Sequence, residues 1–358
     1  MSVLRVDSLP VKKFGRLEDM SARFQPLSFE EAYSVIWGSP SISSLERSAH
    51  GDTVNLKLDR TSGSGFVSLD NYMYGFYSAS IKFPAQDNAA GIVLALYTSN
   101  GDEFPTSHDE LDFEFLGNIK GRPWRMQTNI YGNGSVARGR EERFNFWFDP
   151  TADYHNYSIL WNQQHVVFMV DSVPIREMIR SETMEGDTME SDYPSKPMGM
   201  YATLWDGSAW ATDGGRYKVD YKYAPFVASL KALKMEGCVA NPFLQNLEKE
   251  YTSPSASLMG CTFLEANNSV NPLEAQEFLS LSSHQQAAMA WVRSTYMYYS
   301  YCDDRPRYPT PLPECTSRIA FSSRILKRRK QHTRRAHYRS VNFTSTHERE
   351  FEETKHPV

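Results

Sequence analysis

Residues 107–118 read SHDELDFEFLGN, and their alternation sets the fold class. Glu110, Asp112 and Glu114 occupy every second position, with Leu111, Phe113 and Phe115 between them. Successive strand side chains point to opposite faces, so His108, Glu110, Asp112 and Glu114 share one face and the apolar residues share the other. The stretch reads as a strand with one face packed into a core. A solvated acidic face would explain the alternation. It does not explain why Glu and Asp, both depleted in strands, stand there. Nor does it explain three like charges in a row with no Lys or Arg among them. A Ca²⁺ site gathers carboxylates too, but one stiff strand offers an ion only one side.

The texture continues in both directions. Segments 52–60, 76–84, 91–99, 125–132, 155–177 and 197–205 alternate or are rich in β-branched and aromatic residues, with Gly, Asn, Asp or Pro between them. Residues 155–177 read as a hairpin turning at Asn162–Gln164. Many short strands with few helical stretches predict an all-β, jelly-roll β-sandwich of the concanavalin type. Near residue 230 the pattern changes. Residues 280–302, SLSSHQQAAMAWVRSTYMYYSYC, form the best helix, with Ser282 and Gln285 as a capping box. Ala288, Met289, Trp291, Val292 and Tyr296 recur at helical spacing as a packing stripe.

The expected organisation is a leader over 1–27, a catalytic sandwich over 28–228, a smaller disulfide-linked extension with a helix over 229–318, and a solvated basic tail over 319–358. The tail holds seven Lys or Arg in residues 327–339, which could anchor the chain to a polyanion. A net charge of -5 argues against nucleic acid as a partner of the body of the chain. No apolar run nears the roughly 18 residues of a membrane span. The four cysteines, Cys238, Cys261, Cys302 and Cys315, include no C-x-x-C, so zinc is not expected; pairing 238–261 and 302–315 is the simplest arrangement. Disulfides would place the chain in an oxidising compartment, although the first twenty residues show no apolar signal core.

Two carboxyl groups facing each other at roughly 5–5.5 Å are what retaining glycoside cleavage requires, one as nucleophile and one as acid. Glu110 and Glu114 are about 13 Å apart at Cα on an extended strand; side chains leaning inward on a concave sheet could close much of that gap. Asp112 between them would hold one ionised and help keep the other protonated.

The stretch HDELDFEFLGN resembles the signature of the xyloglucan endotransglucosylase/hydrolases, plant members of glycoside hydrolase family 16. The likeness extends to residues 51–68, 124–134, 139–162, 204–215 and 220–226, and to YMYYSYC and PLPEC at 296–302 and 311–315. It implies Glu110 as nucleophile, Glu114 as general acid/base and Asp112 as assisting carboxylate. It also implies sugar contacts from His108, Gln127, Thr128 and Asn129, with the last three in the donor sites. Gly139, Arg140 and Glu141 would follow as a glycan-binding segment, with Gly139 where many relatives have Asp. Trp205, Ala209, Trp210 and Gly215 would form the opposite platform.

The implied activity is transglucosylation between xyloglucan chains, with no cofactor and no metal. Endohydrolysis is the first alternative, to be decided by loop 181–201, and a lectin-like wall-binding protein is the second. The family resemblance further implies a secreted monomer of the cell wall and apoplast, so a signal peptide is expected to be missing or mis-started here. It also fits glycosylation at the sequons of Asn133, Asn156, Asn267 and Asn342, and a tail held by anionic pectin.

Overall fold

The computed structural model describes residues 13–15, 17–38, 46–48, 51–132, 134–180, 192–240, 261–263, 272–312 and 314–315. Two units divide the chain, Met1–Asp303 and Asp304–Val358. In the second, Tyr308 N donates to the Asp304 carbonyl at 2.8 Å and Cys315 N to that of Leu312 at 2.9 Å. The sandwich and the site described below belong to the first unit. The basic run 327–339, loop residues 181–191 and the sequons at Asn133, Asn267 and Asn342 lie outside the described residues.

Two antiparallel sheets build the first unit. One carries, in spatial order, β1 (Tyr33–Trp37), β4 (Ser64–Ser68), β13 (Gly199–Asp206), β6 (Ile92–Ser99), β7 (Glu110–Leu116), β8 (Arg125–Tyr131), β9 (Glu142–Asn145) and β16 (Met297–Ser300). The other carries β12 (Val173–Ile179), β11 (His165–Val170), β10 (His155–Trp161), β5 (Tyr72–Lys82), β14 (Phe226–Ala240), β3 (Gly51–Leu58) and β2 (Glu46–Ser48), with β15 (Cys261–Phe263) also on β14. The sandwich read from the alternation is present, with β7 in the middle of its sheet.

Inward side chains of the two sheets meet as one aromatic core. Phe113 stands edge-on to Phe168 of β11 at 5.1 Å, and Phe115 meets Tyr157 of β10 at 4.6 Å and Phe83 at 4.7 Å. Leu111, Phe113 and Phe115 are fully buried. Each such side chain contributes about 1.5–3 kcal/mol by leaving water. Together they fix the height and tilt of the acidic face behind them.

The hairpin turns where expected. Gln164 N and His165 N both donate to Asn162 Oδ1, at 2.8 and 3.0 Å. The capping box is also present: the Ser282 hydroxyl accepts from Gln285 N and the Gln285 side chain from Ser282 N. That helix, α1 (Ser283–Tyr296), buries Ala288 and Val292 in the main core, so its stripe packs.

Two readings differ from the structure. The helix stops at Tyr296, and Met297–Ser300 turns into β16, because the open edge of β9 offers it ladder hydrogen bonds. The strand Phe226–Ala240 runs straight through 228/229 and was not expected. Bulges at Lys231/Lys234 and Gly237/Cys238, with Ala232 at φ +50°, break its alternation.

Cys238, Cys302 and Cys315 are disulfide-bonded. Asn156 sits within β10, where its side chain accepts from the Ser78 hydroxyl at 2.9 Å and donates to that of Ser21 at 3.3 Å.

Candidate active site

β7 lies between β6 and β8, and the register decides what faces each acid. Glu110 stands between Ser99 and Tyr131, Asp112 between Tyr97 and Asn129, and Glu114 between Ala95 and Gln127. Paired residues on antiparallel strands share a face, so this grid of side chains forms the floor of one cleft.

Within the grid the three carboxyls have different surroundings. Glu110 accepts hydrogen bonds from the Ser99 hydroxyl and from Asp112. Burial pushes its carboxyl above the usual range, against a smaller downward pull from Ser99, the His108 imidazole and Asp112. Asp112 is fully desolvated and wedged between Glu114 and Glu110, which holds it well above the usual carboxylate range, with Arg176 the main opposing charge. Its Oδ1 is buried without a hydrogen-bond partner. Glu114 is pushed up to about 7, chiefly by burial and then by Glu110 and Glu141, against the pull of the Gln127 amide. Gln127 Nε2 donates to Glu114 Oε2 at 2.5 Å.

Two glutamates with different partners thus stand on one face of the strand, and Glu114 keeps its proton to about neutrality. Such a pair can attack and protonate on one face of a bound substrate. The pH dependence follows with its sign. Turnover that needs Glu114 as an acid should fall as pH rises through about 7, and Glu114→Gln should cost about 10²–10⁴-fold and remove that alkaline limb. A pH–rate profile of both proteins checks this. An unchanged limb in the variant would assign it to another group.

The expected sugar-binding residues divide. Gln127 and Asn129 face the cleft. Thr128, opposite Phe113, does not: it is fully buried and its hydroxyl accepts from Arg176 Nη1 at 2.9 Å. Period two excludes it from the face that its neighbours occupy. Arg140 is also fully buried, with its guanidinium on Asp192 at 2.9 Å and Ser135 at 3.4 Å, so it braces the strand behind the cleft. Gly139 is buried beside it. Glu141 faces forward and pairs with Arg143.

Across the cleft, Trp210 is 37% exposed and lines an open cavity of about 200 Å³. Trp205 packs on Val93, Leu116 and Ala211 and meets Trp210 at 6.2 Å, so it supports the platform. Ala209 is exposed beside Trp210. Gly215 sits at φ +81°, where an added Cβ would lie 2.2 Å from the Ala209 carbonyl oxygen. It closes the loop that presents Trp210. His108 stands edge-on to Tyr131 at 5.8 Å, at the Glu110 end.

Sequence reading missed Arg125, Arg143, Thr212, Asp213 and Tyr298, which also line the cavity. Arg125 stacks over Tyr298 at 5.1 Å and Arg143 over Tyr299 at 4.7 Å. For Arg143 a signal existed, since it is two positions beyond Glu141 and shares its face. Tyr298 had none, because its segment read as helix.

Residues 29–223 match Glycosyl hydrolases family 16, and residues 268–315 match the Xyloglucan endo-transglycosylase (XET) C-terminus. Probable xyloglucan endotransglucosylase/hydrolase protein 30 of Arabidopsis thaliana is 53% identical over 289 residues, covering 81% of this chain and 77% of that protein. Probable protein 29 of the same series and organism is 46% identical, covering 84% and 80%. Among solved structures, the apo Crh5 transglycosylase aligns at TM-score 0.46 and 19% identity, covering 67% of this chain and 90% of that one.

Proposed function

The chain belongs to the xyloglucan endotransglucosylase/hydrolases of glycosyl hydrolase family 16, and from that membership we propose that it acts as a retaining xyloglucan endotransglucosylase. Glu110 attacks the anomeric carbon of a backbone glucosyl unit and forms a glycosyl–enzyme ester. Glu114 gives its proton to the departing glycosidic oxygen. Glu114, now a base, takes the proton from the 4-hydroxyl of an incoming xyloglucan chain as that oxygen displaces Glu110. Asp112 helps hold the nucleophile ionised through their hydrogen bond. The observation that carries this reading is the placement of two glutamates four residues apart on one cleft face with different partners, Glu110 between Ser99 and Tyr131 and Glu114 hydrogen-bonded by Gln127 and raised to about 7.

Transfer rather than hydrolysis requires an acceptor sugar to outcompete roughly 55 M water, a matter of binding on the leaving-group side. The aromatic and guanidinium wall of Tyr298, Arg125 and Arg143 supports this, since stacked rings and planar donors suit a sugar chain. Incubation with xyloglucan and a labelled oligosaccharide should move label into polymer. Shortening of the polymer with no label transfer would make the protein a hydrolase. Polymer binding without either outcome would make it a lectin-like binder.

In the same reading the protein works as a secreted, glycosylated monomer in the cell wall and apoplast. Its disulfide-bonded Cys238, Cys302 and Cys315 fit an oxidising compartment. The basic run 327–339 adds a hold on anionic pectin. Retention on pectin should weaken with salt and with deletion from Lys327 onward.

A further inference from the structure

The row containing Glu114 continues across the sheet away from Gln127. Glu114 pairs with Ala95, Ala95 with Thr203, Thr203 with Gly65, and Gly65 with Trp37. All five share the cleft face. The three between Glu114 and Trp37 are small. The rows on either side are taller. Tyr97 and Tyr201, stacked at 4.9 Å and 9°, stand on one side, and Val93 with Trp205 on the other. Neighbouring rows on one face are two residues apart, so these walls are about 13 Å apart at the backbone. The result is a trough with a floor of small side chains, leading from the acid to the edge strand.

Trp37 ends the trough, four strand spacings or about 19 Å from Glu114. Its indole lies against two glycines. A Cβ at Gly63 would come within 2.7 Å of Trp37 Cζ3, and one at Gly65 within 3.0 Å of Trp37 Nε1. No larger residue at either position would let the ring lie there. The indole remains 36% exposed. A lone exposed aromatic is ordinary. A ring seated on two glycines, in line with the acid and at the end of a trough, has its position fixed before any ligand arrives.

We propose that Trp37 is a stacking platform for a pyranose ring of the glucan backbone, so that the cleft grips a long segment on the side of β7 away from β8. The proposal rests on the reading of the substrate as xyloglucan. It is tested by calorimetric titration of the Glu110→Gln protein with xyloglucan fragments having backbones of two and of eight glucosyl units. Adding Trp37→Ala should weaken binding of the long fragment about 10-fold and leave the short one unchanged. Trp37→Phe should restore most of the loss. Equal binding of the long fragment with and without Trp37, or an equal loss on both lengths, would overturn the platform. Absence of turnover by the wild-type protein, with long-fragment binding still dependent on Trp37, would count against the proposed function and not against the platform.

Discussion

Glu110→Gln is expected to lower turnover of xyloglucan by at least about 10⁴-fold while leaving the fold intact. Gln keeps the size of the side chain and can still accept from the Ser99 hydroxyl. It cannot form the ester, and it removes the charge that Asp112 is placed to hold. The neighbouring strands do not depend on that charge, since Leu111, Phe113 and Phe115 pin β7 from the other face. The variant should therefore melt no lower than the parent, and somewhat higher if relieving a buried charge outweighs the lost interaction with Asp112. Reducing-end release and label transfer measured beside a thermal melt provide the check. Residual turnover within 100-fold of wild type would move the nucleophile elsewhere.

The second large effect is on stability. Glu142 of β9 is fully buried, and Arg293 of α1 clasps it with Nη1 on Oε2 at 2.5 Å and Nη2 on Oε1 at 2.7 Å. Arg293 Nη1 also reaches the Ile175 carbonyl of β12 at 3.3 Å, so one guanidinium joins the helix to both sheets. Arg293→Ala removes both of these guanidinium contacts from an interior carboxylate and leaves it the more distant Arg176, whose Nε is 3.8 Å away, and the Ser300 hydroxyl at 3.4 Å. Removing one partner of such a pair costs about 3–5 kcal/mol. For a chain of this size the melting temperature should fall by roughly 5–15 °C. Arg293→Ala with Glu142→Gln should recover most of the loss, because the stranded charge is gone. A fall under about 1 °C in the single variant would mean that Glu142 is already satisfied without Arg293. Activity should fall mainly through KM, since β16 pairs with β9 beside Glu142 and carries Tyr298 into the cleft.

The two faces of residues 110–116 were readable because period two is local steric geometry that needs no partner. The same rule, applied one strand over, would have excluded Thr128 from the cleft, although resemblance placed it there beside Gln127 and Asn129. Arg140 was placed in the glycan-binding segment by resemblance, and only the position of Asp192, about fifty residues on, takes it inside. Met297–Ser300 followed the helix pattern before it, until the edge of β9 drew it into the sheet. The strand Phe226–Ala240 lost its alternation to bulges that respond to the strands on either side.

Alternation of three acids with three apolar residues, together with the motifs around them, was enough to determine a β-sandwich, the face bearing the acids and the family. Those depend on neighbours along the chain. Charge state and reach depend on neighbours across it. Glu114 holds its proton to about 7 because folding surrounds it with burial, Glu110 and Glu141. Trp37 stands in line with that acid only because four strands pair in one register. Pairing energy between distant segments sets both, and no local pattern records it.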